Sequence, residues 1–233
     1  MRVEGVADET EQNQGYRQHV RPEMRKFLPQ DAVELRVLEI GCADGSFSSG
    51  IGNAKELWGI EPYAPAAEIA SRRLFRVFTS TFEGARKDLP VDYFDLVICN
   101  DVIEHMTDHD RFLSDIQVHM KDRALLVGSL PNVRYYKNLF NVVFARDWEY
   151  EDSGILDRTH FRFFTFKSWR RSLAAAGFEI EALKGLNGGF SWDWTPWSIA
   201  YGLFAYGLIG LTMGRARDVR HLQIGFRARR APR

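Results

Sequence analysis

The chain has 233 residues, 31 basic and 31 acidic side chains, a formal net charge of zero and 45% hydrophobic composition. That is ordinary globular composition for one α/β domain with elaborations and a sizeable core, and the charge balance argues against a broad nucleic-acid surface, so no nucleic-acid partner is expected. The only cysteines, Cys42 and Cys99, end apolar runs; this excludes a disulfide framework, and with no metal-ligand spacing in view they read as small core residues in a reducing compartment, with no metal expected.

Residues 1–14 are polar, with several acids, and are expected to form a disordered tail; the domain is expected to span 15–233. The tail has no apolar signal region, which points to a cytoplasmic protein. From Tyr16 to Leu28 apolar and aromatic side chains recur at helical spacing, and Pro29 stops that helix. It either lies over a ligand or packs on the sheet edge.

The stretch VLEIGCADGSF, Val37 to Phe47, reads as a buried strand, a glycine turn and the opening of a helix. Such a turn gathers backbone N–H groups and a helix N-terminus at one point beside a sheet, where nucleotide-like ligands bind. Small residues fall at Gly41, Ala43 and Gly45, around Cys42, while position 46 is Ser and Glu39 lies within the strand. This is not the G-x-G-x-x-G spacing of a dinucleotide site, and an acid inside the strand suits an ammonium group rather than a pyrophosphate. A second strand, Leu57 to Ile60, ends in Glu61, followed by Pro62, where a carboxylate can take two ribose hydroxyls. An ammonium, a ribose and no phosphate describe S-adenosylmethionine. The stretch resembles motif I of class I S-adenosylmethionine-dependent methyltransferases.

An Ala-rich helix follows (Ala66, Ala67, Ile69, Ala70, Leu74), then a third strand at Arg76–Phe78. The resemblance implies an Asp after this strand, bonded to the adenine amine. Here Thr81 stands in its place as an acceptor, with Phe82 able to cover the adenine face. Asp95 to Asp101 is a nearly continuous apolar strand, as expected of one covered on both faces. With the following DVIEHM it resembles the family's fourth motif, which implies that Asn100 and Asp101 face the methionine end of the cofactor. A helix from Asp110 to Met120 leads to a fifth strand, Ala124 to Leu130.

Residues 134–168 form an aromatic-rich crossing, and PNVRYY…GILDRTHFRFFT resembles a subgroup associated with surface-polysaccharide and glycolipid biosynthesis. This implies a glycan or glycolipid acceptor methylated on a hydroxyl, with polysaccharide biosynthesis as its setting; a small-molecule N- or C-methyltransferase and a non-catalytic cofactor-binding regulatory or scaffolding module of the same fold stay open. Lys167 to Ala176 is a helix capped by Gly177, Phe178 to Leu183 a sixth strand, and His221 to Arg227 an antiparallel closing strand. The fold expected is α/β, a Rossmann-like seven-stranded, mostly parallel sheet with helices on both faces and an antiparallel last strand.

A sugar hydroxyl is a poor nucleophile until it loses its proton, so a base is sought, and histidine suits that role near neutral pH. His105 follows the fourth strand and His160 lies in the loop after the fifth. Each has a structural alternative, a helix-start backbone contact for His105 and a loop clamp with Arg158 and Arg162 for His160. Finally, Phe190 to Met213 is rich in Trp and almost free of charge, with Arg215, Arg217 and Arg220 behind it. A membrane span would place the closing strand across the bilayer and is rejected. An interfacial helical hairpin at the inner membrane face, a wall over the acceptor site and a homodimer surface stay open.

Overall fold

The computed structural model describes residues 21–29, 34–189 and 195–232. Its centre is β1 (Arg36–Ile40), whose residues from Val37 onward are all buried. Side chains alternate across a strand, so such a strand must be covered on both faces. β4 (Phe94–Asn100) behaves likewise, with Leu96 and Ile98 in one core cluster and Val97 and Cys99 in the other. With β2 (Glu56–Ile60), β3 (Arg76–Phe78), β5 (Met120–Pro131), β6 (Phe178–Gly188) and β7 (His221–Arg230), these strands form one sheet ordered β3-β2-β1-β4-β5-β7-β6. Pairing is parallel from β3 through β5, and β7 runs antiparallel between β5 and β6. The expected fold class is the observed one.

The helices are α1 (Ser46–Ser49), α2 (Ala64–Ser71), α3 (Phe82–Ala85), α4 (His109–Ile116), α5 (Tyr136–Phe140), α6 (Phe166–Ala175) and α7 (Pro196–Leu211). On one face of the sheet α4 supplies Phe112, Leu113 and Ile116 to the core, and α6 supplies Trp169 and Leu173. Trp169 is fully buried, with ring centroids 5.3 Å from Phe164 and 4.9 Å from Phe226. On the other face Met24, Phe27 and Phe47 pack against Val37, Leu96, Ile98 and Val127.

Several boundaries differ from the sequence reading. The described part of the leading helix is a 3-10 turn, Pro22–Phe27, which starts at a proline after Arg21 in left-handed backbone and packs Met24 and Phe27 under the sheet; residues 16–20 lie outside the described chain. The helix expected to reach Met120 ends at Ile116, and Met120 already begins β5. β6 continues five residues past Leu183, held to β7 as far as the Gly188–His221 pair. The described part of the apolar insert holds one capped helix and no second one: Thr195 accepts from Ser198 N–H at 3.1 Å, and α7 runs unbroken for 16 residues. Among the described residues no helix is long and apolar enough to cross a membrane. Trp192, Trp194 and the expected tail at 1–14 lie outside the described residues. α7 is seated on α5 through a small cluster of Tyr136 and Ala205 with Leu139 and Tyr201 beside them.

Candidate active site

The parallel strands end on one side of the sheet, where the turn after β1 faces the ends of β2 and β4. Gly41 N–H and Cys42 N–H both donate to the Ile60 carbonyl, at 2.8 and 3.1 Å, which folds the turn back over β2. Three residues within five take positive φ: Gly41 (68°), Ala43 (47°) and Gly45 (76°). Glu61 is buried at the end of β2, one carboxylate oxygen accepting from Ala43 N–H and the other from Tyr63 N–H, each at 2.9 Å. The acid therefore fixes the turn and is itself held in orientation by two backbone donors.

Glu39 is buried on β1 and accepts from the Ser48 hydroxyl at 2.5 Å. Burial pushes its carboxyl up to about 8, against the lowering effect of the Ser48 bonds and Arg21. Burial also raises both the Cys42 and Cys99 thiols, so they stay neutral and chemically quiet.

At the end of β4 the amide of Asn100 is buried with neither its oxygen nor its nitrogen bonded. Asp101, at φ 52°, is clamped by three elements. It accepts from the Ser129 hydroxyl on β5 at 2.8 Å and from the Gln223 amide on β7 at 2.8 and 2.9 Å, and pairs with Arg21.

These residues border two cavities. One, of about 660 Å³, is lined by Arg21, Glu39, Cys42, Asp44 and their neighbours. The other, of about 570 Å³, is lined by Glu61, Pro62, Thr81, Phe82, His105 and Thr159 among others. Gly41, Ala43, Asn100 and Asp101 line both, so the two are joined across the glycine turn. Gly45 borders neither; a Cβ there would meet Leu74 and Ala70 at 3.1–3.3 Å, so its role is packing. Thr81 and Phe82 border the second cavity and also serve the fold. The Thr81 hydroxyl accepts from Gly84 N–H at 3.3 Å as the cap of α3, and the Phe82 ring turns into the core, edge-on to Phe112 at 5.0 Å.

The two histidines converge, with ring centroids 4.7 Å apart. His105 is exposed and borders the second cavity; its Nδ1 lies 3.2 Å from the Thr159 carbonyl oxygen. Partial burial, then the neighbouring His160, hold its pKa below the ordinary value. His160 is buried behind it, Nδ1 at 2.9 Å from the Ile155 carbonyl oxygen. Glu104 stands beside both, 1% exposed, with its carboxyl raised well above the usual range by burial and then by Asp101.

The sequence reading missed Arg21, Ser48 and Gln223, and passed over Glu104. Only Glu104 lies in a recognised motif; Gln223, a polar residue between the apolar Leu222 and Ile224 of β7, was the one other legible signal.

The residues present fit S-adenosylmethionine. Glu39 would face an ammonium group and Glu61 a ribose diol, the glycine turn leaves backbone room between them, and the unbonded Asn100 amide offers both a donor and an acceptor at the junction. The methyltransferase-domain family matches residues 12–183. The ubiquinone biosynthesis O-methyltransferase of Rickettsia typhi is 25% identical over 176 residues, covering 69% of this chain and 67% of that protein. A solved S-adenosylmethionine-dependent methyltransferase of Archaeoglobus fulgidus superposes with a TM-score of 0.63 at 18% identity, over 96% of this chain and 100% of that one. Another, from Mesorhizobium loti, gives 0.59 at 16% identity over 90% and 96%. The last two show a shared Rossmann-like fold. The chain belongs to the methyltransferase-domain family and is an S-adenosylmethionine-dependent methyltransferase.

Proposed function

We propose that the protein methylates a hydroxyl oxygen of a small, lipid-linked acceptor. S-Adenosylmethionine supplies the electrophilic methyl group. What the protein must then do is hold an acceptor oxygen in line with it and take charge of the hydroxyl proton. The observation that carries the reading is the second cavity: beside the glycine turn it presents the exposed His105 ring together with Thr107 and Thr159. These are polar groups suited to a hydroxyl, set against the apolar Val102 and Met106. Because the His105 Nδ1 faces a carbonyl it must donate there, so the lone pair falls on Nε2, where a hydroxyl proton can be received.

Oxygen as the methylated atom is also supported by the Rickettsia relative, an O-methyltransferase by name. That name concerns ubiquinone rather than a sugar, so the sugar hydroxyl expected from the sequence is the narrower option. Trideuteromethyl-labelled cofactor, offered with phenolic, sugar and lipid-linked alcohols, should mark an oxygen in the product seen by mass spectrometry. Label found only on nitrogen or carbon would overturn the reading.

The lipid-linked part rests on α7. Trp197, Leu203, Tyr206 and Leu211 are 53–87% exposed, and a cavity of about 520 Å³ beyond the helix is lined by Arg134, Lys167, Arg171 and Arg215. Apolar side chains beside arginines suit an anionic bilayer surface, where burial and charge attraction act together. Vesicles with anionic lipid are expected to sediment the protein, less so at high salt, and Leu203→Ser/Leu211→Ser should weaken this several-fold. Equal binding to neutral vesicles, or a salt-independent dimer that ignores vesicles, would contradict it.

A further inference from the structure

Among the described residues Glu104 is the least accounted-for carboxyl. It sits in the 3-10 turn Ile103–His105 that follows β4, 1% exposed, and neither carboxylate oxygen has a hydrogen-bond partner. An ionised carboxylate buried without partners is strongly disfavoured, so either a retained proton or a cation must neutralise it. The protein has brought two imidazoles to it. His160 Nε2 lies 4.0 Å from Glu104 Oε1, and one donor atom from each of Glu104, His105 and His160 lies within 4.8 Å of the others.

Both rings also have their tautomer set from behind. Nδ1 of His160 faces the Ile155 carbonyl and Nδ1 of His105 faces the Thr159 carbonyl, so each donates Nδ1–H to backbone and carries its lone pair on Nε2. A backbone carbonyl that fixes the tautomer from behind is the usual support of a metal-binding histidine. The loop that carries His160 is fastened to the same turn, since Phe161 N–H and Arg162 N–H both donate to the Glu104 carbonyl, at 2.9 and 3.1 Å. The three donors thus belong to one rigid patch, with the exposed His105 on the side of the second cavity.

We propose that Glu104, His105 and His160 bind a divalent first-row transition metal ion, open on its remaining side to the acceptor cavity. Two imidazoles and one carboxylate are the donor set of such ions, with open positions left for water or substrate, whereas calcium and magnesium prefer oxygen ligands alone. Around a shared ion the donors would stand about 3–3.5 Å apart, given bonds of roughly 2.0–2.2 Å. Side-chain rotations of about an ångström close the present arrangement to that size. The ion supplies the positive charge that the Glu104 carboxylate lacks. Its function rests on the O-methylation reading: an acceptor hydroxyl bound to it becomes more acidic and gives its proton to water, leaving an oxygen nucleophile that forms the new O–CH₃ bond as the S–CH₃ bond breaks. Nε2 of His105 then holds the ion rather than the proton.

The test uses tag-free, chelator-treated full chain titrated with Co²⁺, with no acceptor present. One equivalent should bind with visible ligand-field bands and be displaced by Zn²⁺, while Mg²⁺ displaces little. Glu104→Gln and His160→Gln should each lower the affinity at least 10-fold; His105 is exposed, so His105→Gln keeps the question answerable if either buried variant fails to fold. Calorimetry with S-adenosylhomocysteine on the same samples reports the cofactor site independently. Less than half an equivalent of Co²⁺, or affinity unchanged in folded His105→Gln, would overturn the site. Full methyl transfer by metal-free protein would overturn the ion's role, whereas stoichiometric Co²⁺ binding by a protein that methylates no hydroxyl would leave the site standing and remove the acceptor reading.

Discussion

Gly41→Val is expected to abolish cofactor binding while leaving a folded, weakened protein. Gly41 has φ 68°, a region that a β-branched residue enters only under strain. A Cβ there would stand 2.5 Å from the Val102 Cγ2, on the segment that follows β4 at the junction of the two cavities. The strain should take about 1–3 kcal/mol from stability, visible as a lower melting temperature. Binding should suffer more, because relief of the clash moves the turn or Val102 into the space between Glu39 and Glu61. A loss of more than about 100-fold in S-adenosylhomocysteine affinity is expected, equivalent to about 2.7 kcal/mol. Gly45→Ala is the control for strain and crowding away from the cavities: it also has positive φ, at 76°, but borders neither cavity. It should lose stability and keep most of its affinity. If Gly41→Val binds within 10-fold of the native chain, the turn does not approach the ligand.

What could be read in the sequence was local. β1 and β4 announced themselves because strands covered on both faces are nearly continuous in apolar residues, and the acids at Glu39 and Glu61 stood out against that background. The second half of β6 could not be read, since Lys184 to Gly188 are held by pairing with β7 more than thirty residues later. Phe82 shows a different limit: an aromatic after a strand looks the same whether it borders a ligand cavity or fills the core, and here it does both, lining the second cavity and meeting Phe112 edge-on. Thr81 was legible as a polar acceptor, but a threonine before a short helix serves that helix first. In the described part of the insert, Gly202 is buried within α7 and does not break the helix, so those residues form one element. Glu104 is the sharpest case. Its motif was visible, but its isolation depends on the loop of His160 folding back over it, a contact across more than fifty residues.

Replacing Glu39 with glutamine should stabilise the ligand-free protein and impair it as a receptor for the cofactor. The Glu39 carboxyl titrates at about 8 instead of 4.5, chiefly because burial disfavours its charge. Between those two pH values the folded chain keeps a proton that the unfolded chain has released, so stability falls as pH rises from about 4.5 to about 8. At pH 7 the accumulated loss is on the order of 3 kcal/mol, and Glu39→Gln should recover about that much; near pH 5 the gain should shrink below about 1 kcal/mol. The groups that face Glu39 are the Ser48 hydroxyl, Arg21 and Asp44, with Cys42 and Cys99 nearby as neutral thiols, and of the charged ones only Arg21 favours ionisation. A ligand ammonium placed beside it would do the same and more strongly, so binding to the native chain below pH 8 should release a proton. Calorimetry in buffers of different ionisation enthalpy measures that proton directly. The native protein should show net release that fades above pH 8, with affinity rising over the same interval. Glu39→Gln should show almost none, with weaker binding. Equal proton release by both proteins would place the ammonium elsewhere, and a variant no more stable than the native chain at pH 7 would mean that Glu39 is already ionised in the ligand-free fold.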